Sequence, residues 1–287
     1  IANAALILKT VVDEVKKRGG KPFIIPAMGS HGGATPDGQK RVLEELGITE
    51  EKIGASIISS LDVQSIGEIS GGIPVYMSKD VLNSDGVILL NRVKPHTSFR
   101  GDIESGLTKM AVIGLGKQKG ADLCHKMGFD NFTKRLKEMA KIVLSRVPII
   151  FGVALVENSY DETAVVRVIT SNEIFSEEPK LLKLAKRYMP KIFLNNLDIL
   201  IIDEIGKDIS GDGMDPNVTG RFASDCVKGD LKANRIVTLR LTDKTEGNAN
   251  GIGTADITTT DLLEQTDLTK GYINSITAAI PKTVRLP

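Results

Sequence analysis

Apolar residues recur at helical spacing from the start of the chain. Leu6, Ile7, Val11, Val12 and Val15 mark one face of an amphipathic helix over Ile1–Arg18, which Gly19-Gly20 ends. Lys21–Pro26 reads as a short buried strand, and the glycine-rich PAMGSHGGATPDG follows as a loop. Thr35 then caps a second helix with Pro36 at its first position, running to about Leu46 and stopping at Gly47. Short strands are expected at Ile57-Ile58, Val63–Ile69 and Ile73–Met77, the last two separated by Gly71-Gly72, with a short helix to Leu82. Asp85–Asn91 is a near-continuous apolar run of the kind found in buried parallel sheets.

The pattern continues as α/β. Asp122–Ser145 reads as one helix or two, broken near Gly128. Pro148–Leu155 and Thr163–Ile169 form a hairpin through the polar turn Asn158–Glu162. Glu177–Tyr188 is a helix ending near Pro190. Strands at Leu197–Ile202 and Ile236–Leu241 lead into the glycine-rich loops EIGKDISGDGMDPNVTGR and GNANGIGTADITT, and a last helix starts near Thr260. Two α/β domains are expected, residues 1–189 and a smaller 190–287. Two loops bearing histidines, around His31 and His96, each follow a predicted strand. If both strands lie in one sheet, the loops leave the same edge, where open α/β sheets bind ligands.

Composition narrows the function. A net charge of +1 gives no electrostatic case for nucleic acid or an acidic membrane surface, and the absence of Trp argues against base stacking. No apolar run has the length of a membrane span, and no secretory leader is visible. The two cysteines, Cys124 and Cys226, cannot build a disulfide framework or hold an iron–sulfur cluster, and a cytoplasmic location is the default expectation. Because the chain enters a helix at Ile1 without Met, residues are expected to precede it.

All three histidines fall in glycine-rich stretches. His31 is flanked by glycines, which favours access by a substrate. His96 follows Pro95, which stiffens its loop and keeps Lys94 extended. His125, beside Cys124, is read as opening a helix, where a lone histidine more often caps or packs than ligates. No metal-binding spacing stands out, and no G-x-G-x-x-G fingerprint is present. Lys109 closes the turn Ser105-Gly106-Leu107-Thr108-Lys109, and a lysine behind a glycine turn commonly meets a phosphate or carboxylate. For any single lysine a solvated position is the commoner outcome. Arg92, Lys94, Arg100 and Lys117 make the stretch basic, as an anionic ligand requires, although charge runs are usually solvated faces.

PAMGSHGGAT, PHTSFRGDIESGLTK and LCH together resemble the nickel-dependent lactate racemase family and its wider group of 2-hydroxy acid racemases and epimerases. The resemblance covers most of residues 20–130 and continues more loosely beyond. It implies two α/β domains with the ligand site in the cleft between them, and a nickel pincer nucleotide attached to a lysine. Lys109 corresponds to that lysine, in a turn with Ser105 and Gly106. His125 corresponds to the nickel ligand, and His31 and His96 to the acid–base pair acting on a small-molecule 2-hydroxy acid. Arg92, Lys94 and Lys207 are weaker candidates for binding the substrate. The gap from His96 to Lys109 is a few residues longer than in the lactate racemases, so malate, a hydroxyglutarate-like acid or a sugar acid stands level with lactate. Protein made without the cofactor-synthesis enzymes is expected to be empty. Two alternatives stay open: His31, His96 and His125 converging on zinc or iron as a hydrolase or isomerase, and a non-catalytic module that binds a phosphorylated ligand. The first leaves Lys109 unexplained and the second leaves the histidines unexplained.

Overall fold

A computed structural model of the chain describes residues 1–128, 131–223 and 227–270; the side chain of His125 and the whole of Cys226 lie outside the described residues. The chain forms two compact units. One holds Ile1–Lys94, Gly101–Cys124 and Asn131–Met189; the other holds Pro95–Arg100, His125–Asp130 and Pro190–Pro287. The second unit thus takes in two short segments from the first 189 residues, those carrying His96 and His125.

In the first unit, helix α1 (Ala4–Lys17) buries Ala4 and Val12 against Leu43 of α2 (Pro36–Glu45) and Ile53 of α3 (Glu50–Ile53). Thr35 caps α2 as its sequence requires, its Oγ1 accepting from the Gly38 N–H at 3.1 Å. The expected strand at Lys21–Pro26 shrinks to one parallel bridge, Ile24 to Ile57, outside the named sheets. Pro22 and Pro26 flank Ile24 and supply no N–H to a ladder, which limits the pairing. The expectation that His31 and His96 leave one sheet edge is therefore not met, because the bridge is not part of the sheet that leads to His96.

The antiparallel hairpin β1 (Val63–Ile69) and β2 (Ile73–Ser78) is followed by the short α4 (Lys79–Leu82). Strand β3 (Val87–Arg92) runs parallel to β4 (Ile149–Glu157), which pairs antiparallel with β5 (Thr163–Thr170). The middle strand β4 is buried from Gly152 to Val156, in keeping with its apolar sequence. Between β3 and β4 lie α5 (Leu107–Lys109), α6 (Lys117–Lys126) and α7 (Phe132–Arg146). Helix α7 packs on the β1–β2 hairpin, and α8 (Ile174–Tyr188) packs on β4 and β5. Because α6 begins at Lys117, His125 lies in its last turn rather than opening a helix.

The second unit is built on three parallel strands, β6 (Asn196–Ile205), β7 (Lys232–Leu241) and β8 (Ile257–Thr258). Among the described residues Ile205, Ile236, Leu241, Ile252 and Leu262 form its core, the last of them from α10 (Thr260–Gln265), and the short α9 (Pro216–Thr219) falls between β6 and β7 in the chain. The described residues are α/β throughout. Among the described residues no helix is long and apolar enough to cross a membrane.

Candidate active site

The turn that carries Lys109 is fixed by its neighbours. Lys94 and Ser105 exchange backbone hydrogen bonds at 3.0 and 3.2 Å, closing the loop that contains His96. Asn91 Nδ2 donates to the Gly106 carbonyl at 3.0 Å, and the Met110 N–H donates to the same oxygen at 3.0 Å. Lys109 then runs directly into a π-helical turn, Met110–Gly114, closed by the Leu115 N–H donating to the Met110 carbonyl at 2.9 Å. Such turns recur at functional sites because they re-aim the side chains beside them.

Glu178 on α8 lies beneath this turn and is fully buried. Its Oε2 accepts from the Thr108 N–H at 3.0 Å and from Thr108 Oγ1 at 2.6 Å. Oε1 has no hydrogen-bond partner and lies where a Cβ on Gly106 would come within 2.1 Å. Glycine is therefore needed at position 106 for space. The lysine turn does meet a carboxylate, but one supplied by the protein itself. Burial pushes the Glu178 carboxyl up to about 7, against the pull of the two Thr108 bonds.

Lys109 is half-buried, and its charge reaches Cys124 in α6. Burial pushes the Cys124 thiol up to about 12, with Arg135 and Lys109 pulling the other way. That thiol is a buried apolar group, not a nucleophile. The residue after it is His125.

The His31 loop is mounted on the far end of the same helical run. Lys117, fully buried and at φ +54, donates from Nζ to the Pro26 carbonyl at 2.7 Å. Burial lowers its pKa to about 8, and Asp80 opposes that. A Cβ on Gly114 would come within 2.4 Å of the Ala27 carbonyl. A Cβ on Gly29 would meet that of Ala121 at 3.2 Å. Gln39 Nε2 donates to the Gly29 carbonyl at 2.8 Å and to that of His31 at 3.4 Å. Gly32, at φ +66, packs so closely on the first turn of α2 that a side chain would strike the Gly38 backbone at 2.5 Å. The two glycine-rich stretches are thus brought together in the first unit, with His31 itself exposed.

His96 belongs to the second unit. Its Nδ1 accepts from the Ser98 N–H at 3.0 Å, and its carbonyl accepts from Arg100 Nη1 at 2.7 Å. Arg92 forms an ion pair with Glu157, whose side chain is 7% exposed, so its charge braces β3 against β4. Lys207 follows β6 with its N–H on Thr245 Oγ1 at 3.0 Å; burial lowers its pKa, and Asp212 raises it. Among the described residues no three His, Cys, Asp or Glu side chains gather as a metal site would require.

Residues 2–135 match the family model of the lactate racemase N-terminal domain. Over that stretch, just under half of its length, the chain is similar to the lactate racemase family. Among solved structures it is similar to the lactate racemase apoprotein from Thermoanaerobacterium thermosaccharolyticum, with a TM-score of 0.55 and 13% identity. That likeness, over 83% of this chain, carries the fold alone, and the chain spans 58% of that protein's length. No curated protein matches by sequence.

Glu178, Gln39 and Asn217 are residues that reasoning from sequence did not single out, and Lys117 it read only as part of a basic run. Glu178 had a visible signal. It falls on the buried stripe of α8 with Ile174, Leu181, Leu182 and Ala185, where a carboxylate is out of place unless it has a partner. Gln39 had none, since a glutamine in an otherwise polar helix reads as solvent-facing.

Proposed function

We propose that this chain belongs to a racemase or epimerase of a 2-hydroxy acid that works with a nickel pincer nucleotide. His31 and His96 act as acid and base, His125 ligates the nickel, and Lys109 attaches the nucleotide in its Ser105-Gly106 turn. The observation that supports this reading is electrostatic and lies within the first unit: the charge of Lys109 reaches α6. The ammonium acts on Cys124, the residue next to His125. The chemistry of the groups also fits: an amine suits covalent attachment, and imidazole is a natural nickel ligand.

The nucleotide, when bound, supplies a hydride acceptor for C2, whose C–H is too weakly acidic beside a carboxylate to be removed as a proton. The chain's own residues do the rest. The Glu178–Thr108 bonds and the π-helical turn keep Lys109 at one place on the backbone. Lys117 and Gln39 hold the loop that presents His31. His31 and His96 move the proton of the substrate hydroxyl, which a reaction reversible between two enantiomers requires of two separate groups. A panel of 2-hydroxy acids identifies the substrate side chain.

Intact-protein mass spectrometry with metal analysis, on protein made alongside the cofactor-synthesis enzymes, tests the proposal. A covalent nucleotide mass mapping to Lys109, with about one nickel per chain, is the expected result. Zinc or iron without any nucleotide would sink it.

A further inference from the structure

Two side chains of the second unit meet at one atom of the segment Pro95–Arg100, the His96 carbonyl oxygen. It accepts from Arg100 Nη1 at 2.7 Å and from Asn217 Nδ2 at 3.4 Å. Asn217 is itself tied down. Its backbone N–H and its Nδ2 both donate to Asp215 Oδ1, at 2.9 and 2.8 Å, and its Oδ1 accepts from Arg100 Nη2. An amide with a donor-only guanidinium on one side and acceptor-only oxygens on the other has a single orientation. Arg100 Nη1 also reaches the Phe99 carbonyl at 3.3 Å, and its guanidinium lies 4.9 Å from the centroid of Phe222.

The ring of His96 is held as well. Phe99, which is buried, lies with its ring centroid 4.3 Å away at an interplanar angle of 31°. The Ser98 N–H donates to Nδ1 at 3.0 Å. A ring nitrogen that accepts a backbone N–H carries no proton of its own, so the neutral imidazole has its proton on Nε2.

We propose that Arg100 and Asn217 are positioning residues for His96, and that with the Ser98 amide they hold its imidazole as the Nε2–H tautomer. His96 then addresses a substrate oxygen through Nε2 as a hydrogen-bond donor. A proton can be taken at Nε2 only after the existing one has moved to Nδ1, and the Ser98 bond blocks that move. The two histidines are therefore unequal in the resting protein. His31 is the one that takes the hydroxyl proton first, breaking O–H and forming N–H, while His96 becomes a base only once the Ser98 bond is released. This rests on the assignment of His96 to the acid–base pair above.

The test begins without cofactor. Two-bond proton–nitrogen spectra of the 15N-labelled full chain report the protonation of each ring nitrogen. With three histidines in the chain, the pattern lost in His96→Gln identifies the one of interest. The expected wild-type pattern is a protonated Nε2 and a bare Nδ1. In Asn217→Ala, and separately in Arg100→Lys, the two nitrogens should shift toward each other as the tautomers average. A wild-type ring that already averages, or that carries its proton on Nδ1, would overturn the proposal. So would a pattern unchanged in both variants. If Asn217→Ala does not fold, the wild-type spectrum and Arg100→Lys still decide.

Cofactor-loaded protein gives the second readout, with both enantiomers of lactate, malate and 2-hydroxyglutarate as probes. Both variants should lower kcat by about tenfold or more with KM within about threefold. A raised KM at constant kcat would place the two residues in substrate binding and overturn the positioning role. The outcomes separate cleanly: loaded protein that racemises nothing while the ring spectra behave as expected would refute the functional reading and uphold the clamp. Racemisation with an averaging His96 would do the reverse.

Discussion

Replacing Glu178 with Gln isolates the free energy stored in one buried carboxyl. Glu178 is fully buried, and its carboxyl is raised from 4.5 to about 7, burial being the largest cause. A carboxyl raised in the folded state contributes stability that is fully present below its unfolded value and is lost as pH climbs through its folded value. The window here is about pH 4.5 to about 7. At about 1.4 kcal/mol per pH unit, the loss across it is about 3 kcal/mol. The variant removes the titration and keeps the shape. Its Oε1 can take both Thr108 donors, while its Nε2 turns toward Gly106 without an acceptor. That mismatch costs about 1–2 kcal/mol at every pH. Urea denaturation of both proteins across the window, taken as a difference, cancels the other titrating groups. The difference should move by about 3 kcal/mol in favour of Glu178→Gln between pH 4.5 and 8. A constant difference would show that Glu178 titrates normally and that the burial argument is wrong.

Three further outcomes follow from neighbouring contacts. Gly106→Ala puts a Cβ within 2.1 Å of Glu178 Oε1 and 3.2 Å of Val93 Cγ2, and should cost about 2 kcal/mol or more in thermal or urea unfolding. Lys117 is lowered to about 8, so wild-type stability should rise between about pH 8 and 10.5 as the unfolded chain gives up its extra proton. Lys117→Met should abolish that rise and speed amide hydrogen exchange at residues 28–34. Cys124, pushed up to about 12 by burial, should resist alkylation in native protein at pH 8 and react on unfolding, as peptide mapping would show.

Much of the fold was legible in the sequence because its local signals agree with its packing. The Thr35-Pro36 start of α2, the Gly71-Gly72 hairpin and the apolar run of β3 each carry their own physical instruction. Failures occurred where tertiary packing decides. Periodicity could not reveal that Pro22 and Pro26 would leave Ile24 with a lone bridge. Nor could it show that α6 starts at Lys117, in a left-handed conformation unusual for lysine, which puts His125 at the helix end. In the candidate site, glycines and histidines drew attention to two stretches that pack on each other in the first unit. The residues that hold those stretches in place come from elsewhere in the chain: Glu178 reaches Thr108 across 70 positions, and Asn217 reaches the His96 carbonyl across 121. No local pattern encodes such pairings.

The basic character of the stretch from Arg92 to Lys117 deserves a different account from the one its composition invites. Read as a charge cluster, it calls for an anionic ligand. Three of its cations are instead committed inside the protein. Arg92 is paired with Glu157, Arg100 with the His96 carbonyl and Asn217, and Lys117 with the Pro26 carbonyl. Two of these act directly on backbone that carries a proposed acid–base residue: Arg100 on His96 itself, and Lys117 on the start of the His31 loop. A cation suits that work because a charged donor on a carbonyl makes a stronger bond than a neutral one, and a fixed carbonyl fixes the side chain beside it. Lys117 shows how far this goes, since the chain accepts a fully buried ammonium, its pKa lowered to about 8 by burial, to keep one loop seated. Neutralising Arg100 or Lys117 should therefore change how a histidine is presented before it changes how an anion is bound.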